Sequence, residues 1–319
     1  MRFSGRRPWA ESAPGQLVDI GTHRLHVYRA GRGEPTVVFD SALAGSVLSW
    51  SRVQPEIAKL TATFSYDRAG HGWSDAGPMP RTLDRIVEEL HTLLCRTGTR
   101  PPLVLVGHSY GGLVVELYAS RYPRDVAGMV LVDPAHAKDW VHVEDRERAR
   151  LEMGIRLCRR GAAVARMGVG RVISSLVGFG ALGAARMLTG VATGGALSRS
   201  HEEILAPILH LPADLRPLLR RMWVRPEFFD AVGSQMETLR DDAKDLLAVA
   251  NRDRGDLPLI VLSSSNPEPS RIVDQERLAA LSSRGRHVVA RRSGHWIPLE
   301  EPEIVIQAIR DVIAQPSSW

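Results

Sequence analysis

An α/β fold built on a mostly parallel eight-stranded sheet is what this 319-residue sequence predicts, and three observations predict it. Short runs rich in Val, Ile and Leu alternate with amphipathic segments of helical period. From Thr36 onward the runs are continuously apolar, as strands covered on both faces must be, whereas the first two alternate and read as an antiparallel hairpin at an edge. Apolar residues make up 44% of the chain and charged residues 24%, the balance of a packed globular protein, which argues against a fibrous or disordered chain.

The elements follow in order. The first fifteen residues, MRFSGRRPWAESAPG, are basic but lack the apolar core of a signal peptide, so a disordered start and a cytoplasmic protein are expected. Strands are expected at Leu17–Ile20, Leu25–Ala30, Thr36–Asp40, Thr63–Tyr66, Leu103–Gly107, Gly128–Val132, Leu259–Ser263 and His287–Ala290. Between them, Thr82–Thr97 places Leu83, Ile86, Val87, Leu90, Leu93 and Leu94 on one helical face, with Thr82 as cap and Gly98 just past the end. A last helix, from about Glu301 to Ala314, does the same with Ile304, Val305, Ala308, Ile309, Val312 and Ile313.

The strand–helix rhythm stops between Ala135 and Gly255. This implies a core in two parts, 1–134 and 256–319, interrupted by a helical insertion at 135–255 that would lie as a cap over the carboxyl ends of the strands. Within it, a Gly-rich segment 161–195 interrupts the helical spacing, and Gly178, Gly180, Gly183, Gly190, Gly194 and Gly195 are expected to make the middle of the insertion a poor helix. Its apolar part, Val172 to Ala184, is too short to span a bilayer; a lipid-surface contact flanked by Arg171 and Arg186 is a secondary possibility. The formal charge of +5 is spread without an aromatic-interleaved basic stripe, so no nucleic-acid partner is expected. Cys95 and Cys158 have no metal or redox spacing, which points to a reduced compartment and no metal.

The chemistry centres on residues 103–123, LVLVGHSYGGLVVELYASRYP. An apolar strand that turns sharply into a helix strains its corner residue, and small neighbours must let the chain pass close to itself. Gly107 and Gly111 supply them around Ser109 in G-H-S-Y-G, a nucleophile-elbow pattern. The helix start favours negative charge developing beside the serine.

Four stretches in order resemble the α/β-hydrolase superfamily from about Gln16 to the C-terminus: this elbow, SALAGSVLSW after the third strand, YDRAGHGWSD after the fourth, and SGHWIPLEEPEIVIQAI near the end. The resemblance implies a serine hydrolase with a helical cap and no cofactor. His295 would be the base; the other histidines, His108 beside the nucleophile and His71 in the fourth-strand loop included, read as structural or solvated. The oxyanion donors would be the N–H groups of Tyr110 and Leu43, although Ser41-Ala42 replaces the family's His-Gly in the second loop. The acid is open between Asp133, which ends the sixth strand twenty-four residues after Ser109 as in the haloalkane dehalogenase branch, and Glu268 after the seventh; Asp133 is preferred, with Asp274 a further candidate.

A serine at the corner, where dehalogenases and epoxide hydrolases carry a carboxylate, supports acyl transfer through an acyl-serine. The expected substrate is a small apolar ester. Trp140, Trp223, Phe228 and Phe229 are the candidate pocket residues, with Met153, Leu182, Met187, Leu211 and Met222 beside them. Lactone, amide or C–C bond hydrolysis, haloperoxidase-like perhydrolysis, and a non-catalytic ligand-binding role are the alternatives.

Overall fold

In a computed structural model of the chain, residues 14–141, 145–167, 210–250, 253–265 and 267–315 are described. The expectations for the first thirteen residues, for 168–195, and for Leu182 and Met187 lie outside these residues.

Eight strands form one sheet: β1 (Gln16–Asp19), β2 (Arg24–Ala30), β3 (Thr36–Asp40), β4 (Thr63–Tyr66), β5 (Leu103–His108), β6 (Val126–Val132), β7 (Leu259–Ser263) and β8 (Gly285–Val289). Their order across the sheet is β1-β2-β4-β3-β5-β6-β7-β8. β1 and β2 form the antiparallel edge hairpin, β2 pairs antiparallel with β4, and every later pairing is parallel.

The period-two alternation of strand side chains divides the core in two. Leu103 and Leu105 of β5 face one way, with Val38, Phe64, Met129, Leu131 and Val261, under helices α2 (Leu83–Arg96) and α3 (Tyr110–Arg121). Val104 and Val106 face the other way, with Val37, Phe39, Val130, Val132, Ile260 and Leu262. Because both faces are covered, these strands had to be apolar throughout.

Between β6 and β7 lie α4 (Ala137–Val141), α5 (Asp145–Arg166), α6 (Arg216–Trp223) and α7 (Pro226–Ala250). After β7 comes α8 (Pro269–Ala279), and after β8 come α9 (Ile297–Glu300) and α10 (Pro302–Ile313), the last covering the second core face. The long C-terminal helix expected from sequence is therefore preceded by a separate short turn of helix. α5 runs through Gly161 to Arg166; the glycines expected to weaken the helix, Gly178 to Gly195, lie outside the described residues. A Cβ at Gly161 would lie 2.7 Å from the Phe229 ring, so this glycine serves close packing of α5 on α7. Among the described residues, no helix is long and apolar enough to cross a membrane.

A third apolar cluster joins Leu211, Leu215, Leu219 and Met222, on and before α6, to Ala42, Val47 and Leu48 after β3 and to Trp296 and Leu299 after β8. The inserted helices thus rest on loops at the carboxyl edge of the sheet, the edge where open α/β sheets place their ligands.

Candidate active site

β5 is buried along its whole length and passes at Ser109 directly into α3. Ser109 has φ 54° and ψ −117°. A Cβ on Gly107 would run into Gly111 O, and one on Gly111 into Asp40 O, so both glycines are required for this corner. Ser109 N–H donates to Val132 O at 3.0 Å, which keeps the corner part of the sheet.

Asp133 ends the next strand, with φ 40° and its N–H donating to Leu262 O at 2.7 Å. Among the described residues, Ser109 and Asp133 are the non-glycine residues at positive φ. Strain of this kind costs about 1–3 kcal/mol per residue and persists only where the surroundings enforce it.

His295 follows β8 on a loop tied down at three points. Ser265 N–H donates to Ser293 O at 2.9 Å, Arg292 N–H to Glu301 Oε2 at 2.8 Å and Gly294 N–H to Glu300 Oε2 at 2.5 Å. The loop brings His295 Nδ1 to 2.6 Å from Asp133 Oδ2. Burial pushes the Asp133 carboxyl up, but the hydrogen bond and charge of His295, helped by Arg271, outweigh it and hold the group below its ordinary value. An ionised carboxylate only accepts, so His295 Nδ1 carries the hydrogen in this contact.

The other candidate acids are elsewhere. Glu268 is exposed at the N-cap position of α8, and Asp274 is paired with Lys138 of α4.

Tyr110 is the first residue of α3, so its N–H has no intrahelical acceptor and sits at the positive end of the helix. Leu43 N–H donates to no backbone carbonyl among the described residues. Leu43 O accepts from His71 Nε2 at 2.9 Å; burial lowers the His71 pKa to about 4, so the ring is a neutral donor.

The expected pocket residues separate. Trp223 donates from Nε1 to Ala44 O at 3.3 Å and stacks on Phe228, whose ring meets His71 edge-on at 5.7 Å. Trp223, with Leu211 and Met222, packs in the cluster that holds Ala42, Val47 and Leu48 on either side of Leu43. Phe229 packs toward α5 through Gly161, and Trp140 joins the core under α3 and α7. Met153, expected beside the pocket, is instead 48% exposed on α5.

Residues 35–302 match the family model described as alpha/beta hydrolase fold. The chain belongs to that family. A stretch of 108 residues is 38% identical to an uncharacterized Bacillus subtilis protein, YqjL, covering 34% of this chain and 43% of that relative. Another, of 122 residues, is 35% identical to lipase LipV of Mycobacterium tuberculosis, covering 38% of this chain and 46% of the lipase. Each match spans less than half of the curated relative. A solved esterase from Thermogutta terrifontis is 24% identical, with TM-score 0.63 over 94% of this chain and all of the esterase, a likeness of fold.

Three residues of this alpha/beta hydrolase chain brace the site: His108, read from the sequence as structural or solvated, and Glu300 and Arg68, to which the sequence reading gave no part. His108 Nε2 donates to His295 O at 2.8 Å, with the two rings 4.9 Å apart. Burial, and then the charge of His295, lower the His108 pKa to about 3, so this histidine is neutral and acts as a strut. Glu300 holds Gly294, beside the candidate base. Arg68 reaches the loop after β3 from below. The D-R-A-G-H-G stretch that contains Arg68 and His71 was the available signal, but a motif does not state which atoms its side chains reach.

Proposed function

We propose that this chain is a serine hydrolase that cleaves a carboxylic ester bearing an apolar group. The observation that carries the reading is the 2.6 Å contact between His295 Nδ1 and Asp133 Oδ2, made beside a serine held at positive φ on a strand-to-helix corner. Family membership and the likeness to a lipase and an esterase support it.

In this mechanism His295 Nε2 takes the Ser109 proton as Oγ adds to the ester carbonyl carbon. Asp133 fixes the tautomer and stabilises the imidazolium. The negative oxygen of the tetrahedral intermediate accepts from the Tyr110 and Leu43 N–H groups. Collapse breaks the carbon–oxygen bond, His295 returns the proton to the departing alcohol, and an acyl-serine remains. Water, deprotonated by the same imidazole, then releases the carboxylic acid and regenerates Ser109. The insertion serves as a cap, and Trp223 and Phe228 give the acyl side an apolar wall.

A fluorophosphonate should label the wild-type chain covalently, and Ser109→Ala should abolish labelling while lowering esterase turnover by a factor of about 10³ or more. A p-nitrophenyl ester series, run beside an amide and a lactone, should show ester hydrolysis dominant. Turnover by Ser109→Ala close to wild type would overturn the acyl-serine reading.

A further inference from the structure

The peptide groups that present the two oxyanion donors are each gripped from behind. Tyr110 N–H belongs to the Ser109–Tyr110 peptide, whose carbonyl accepts from Gly112 N at 2.8 Å and Ala135 N at 3.1 Å. Leu43 N–H belongs to the Ala42–Leu43 peptide. Its carbonyl, Ala42 O, accepts from Gly45 N at 2.9 Å and from Arg68 Nη2 at 3.2 Å. Nη2 has two hydrogens for Asp40 Oδ1, Ser41 O and Ala42 O, so one of them is shared between the two carbonyls.

Arg68 is 4% exposed and is anchored on Asp40 through Nε at 3.0 Å and Nη2 at 2.7 Å; Asp40 accepts the Tyr66 hydroxyl as well. The guanidinium carbon lies 4.9 Å from the centre of the Tyr110 ring. One buried cation therefore bridges the end of β3, both carbonyls of the Ser41-Ala42 pair and the residue next to the nucleophile.

In a trans peptide the N–H points opposite to the C=O. Fixing Ala42 O against Arg68 aims the Leu43 N–H away from the guanidinium. A charged donor on the carbonyl also draws electron density through the amide and makes its N–H a stronger donor, most of all where water is excluded.

We propose that Arg68 is a positioning residue for the oxyanion hole: it aims and polarises the Ala42–Leu43 peptide in a loop that has Ser41-Ala42 where the family has His-Gly. The inference rests on the serine-hydrolase reading and extends it. Arg68 acts only through the peptide. Lysine is no substitute, because one ammonium on a flexible stem lacks the planar fork that holds Asp40 and reaches both carbonyls.

The test uses Arg68→Lys and the double variant Asp40→Asn/Arg68→Gln, which leaves neither charge buried alone. Active sites are counted by fluorophosphonate titration, so that misfolded enzyme is excluded from every rate. Per titrated site, kcat on a p-nitrophenyl ester should fall by about 10–100-fold, somewhat less than the loss of a whole donor costs, with KM within about twofold. A trifluoromethyl ketone, whose adduct with Ser109 carries the oxyanion, should lose affinity by the same factor as kcat/KM. A titratable variant with unchanged kcat, or a loss confined to KM, overturns the inference while the serine-hydrolase reading stands. A wild-type chain that takes no label overturns both.

Discussion

Asp133 is the side chain on which the most depends. It is buried, strained, and bonded to His295 Nδ1, whereas Glu268 is exposed at the start of α8. Replacing the acid by its amide keeps the shape but lets the imidazole adopt the wrong tautomer, which can cost as much as about 10⁴ in kcat. Asp133→Asn should be crippled in that range and Glu268→Gln should stay within about twofold of wild type, as read from kcat per titrated site. The reverse ranking would move the acid to the seventh strand. His108→Ala is expected to fall between them. It strips a buried donor from His295 O, a loss of about 1–3 kcal/mol that should appear as a lower Tm together with a modest fall in kcat. A loss equal to that of His295→Ala would mean that His108 does more than hold a carbonyl. Ser109 and His295 could be put forward from the sequence as candidates because each sits inside an ordered motif. The candidate acid was legible only as a preference for Asp133 over Glu268, because the loop after β8, whose path the chain does not spell out, decides which carboxylate His295 meets.

The strands were legible for a similar reason: burial on both faces leaves an apolar run that few other structures produce. The ends of elements were less so. β6 begins at Val126, two residues before its expected start, and β8 runs Gly285–Val289 where His287–Ala290 was expected. α8 was missed because Pro267, Pro269 and the serines around them read as loop, yet Pro269 occupies the first helical position, where its missing N–H costs nothing. The inserted helices were the hardest to read, because their apolar residues face each other as well as the core. Phe228 and Phe229 are neighbours in sequence whose rings meet edge-on at 5.5 Å, but one also lies against His71 and the other against Gly161. Phe228→Ala should therefore alter relative kcat/KM across an acyl-chain series by about 1–3 kcal/mol, and Phe229→Ala should lower Tm while leaving the chain-length profile in place. A profile unchanged by Phe228→Ala would return that ring to the structural core.

Most charges buried in this fold come in pairs. Arg81 meets Glu89 at 2.5 Å, His26 meets Asp67 at 2.8 Å and Arg68 meets Asp40 at 2.7 Å. Glu116 differs. It lies 6% exposed on α3, the helix that starts beside Ser109, and Arg254 donates to its backbone carbonyl at 3.4 Å. Burial pushes the Glu116 carboxyl up to about 7, with Arg254 offsetting it only in part. In the unfolded chain the same group ionises near its ordinary value of about 4.3. The folded state thus holds this proton more tightly than the unfolded state does. Stability from this group is fully present below the unfolded pKa and is lost as pH rises toward the folded one, by about 3 kcal/mol in all. Glu116→Gln keeps the shape and removes the ionisation. The variant should melt several degrees above wild type at about pH 8, and the gain should shrink steadily on acidification and vanish near about pH 4. Thermal melts of both proteins across that range decide the matter: a Tm difference that does not depend on pH would show that Glu116 ionises in the folded chain as easily as in water.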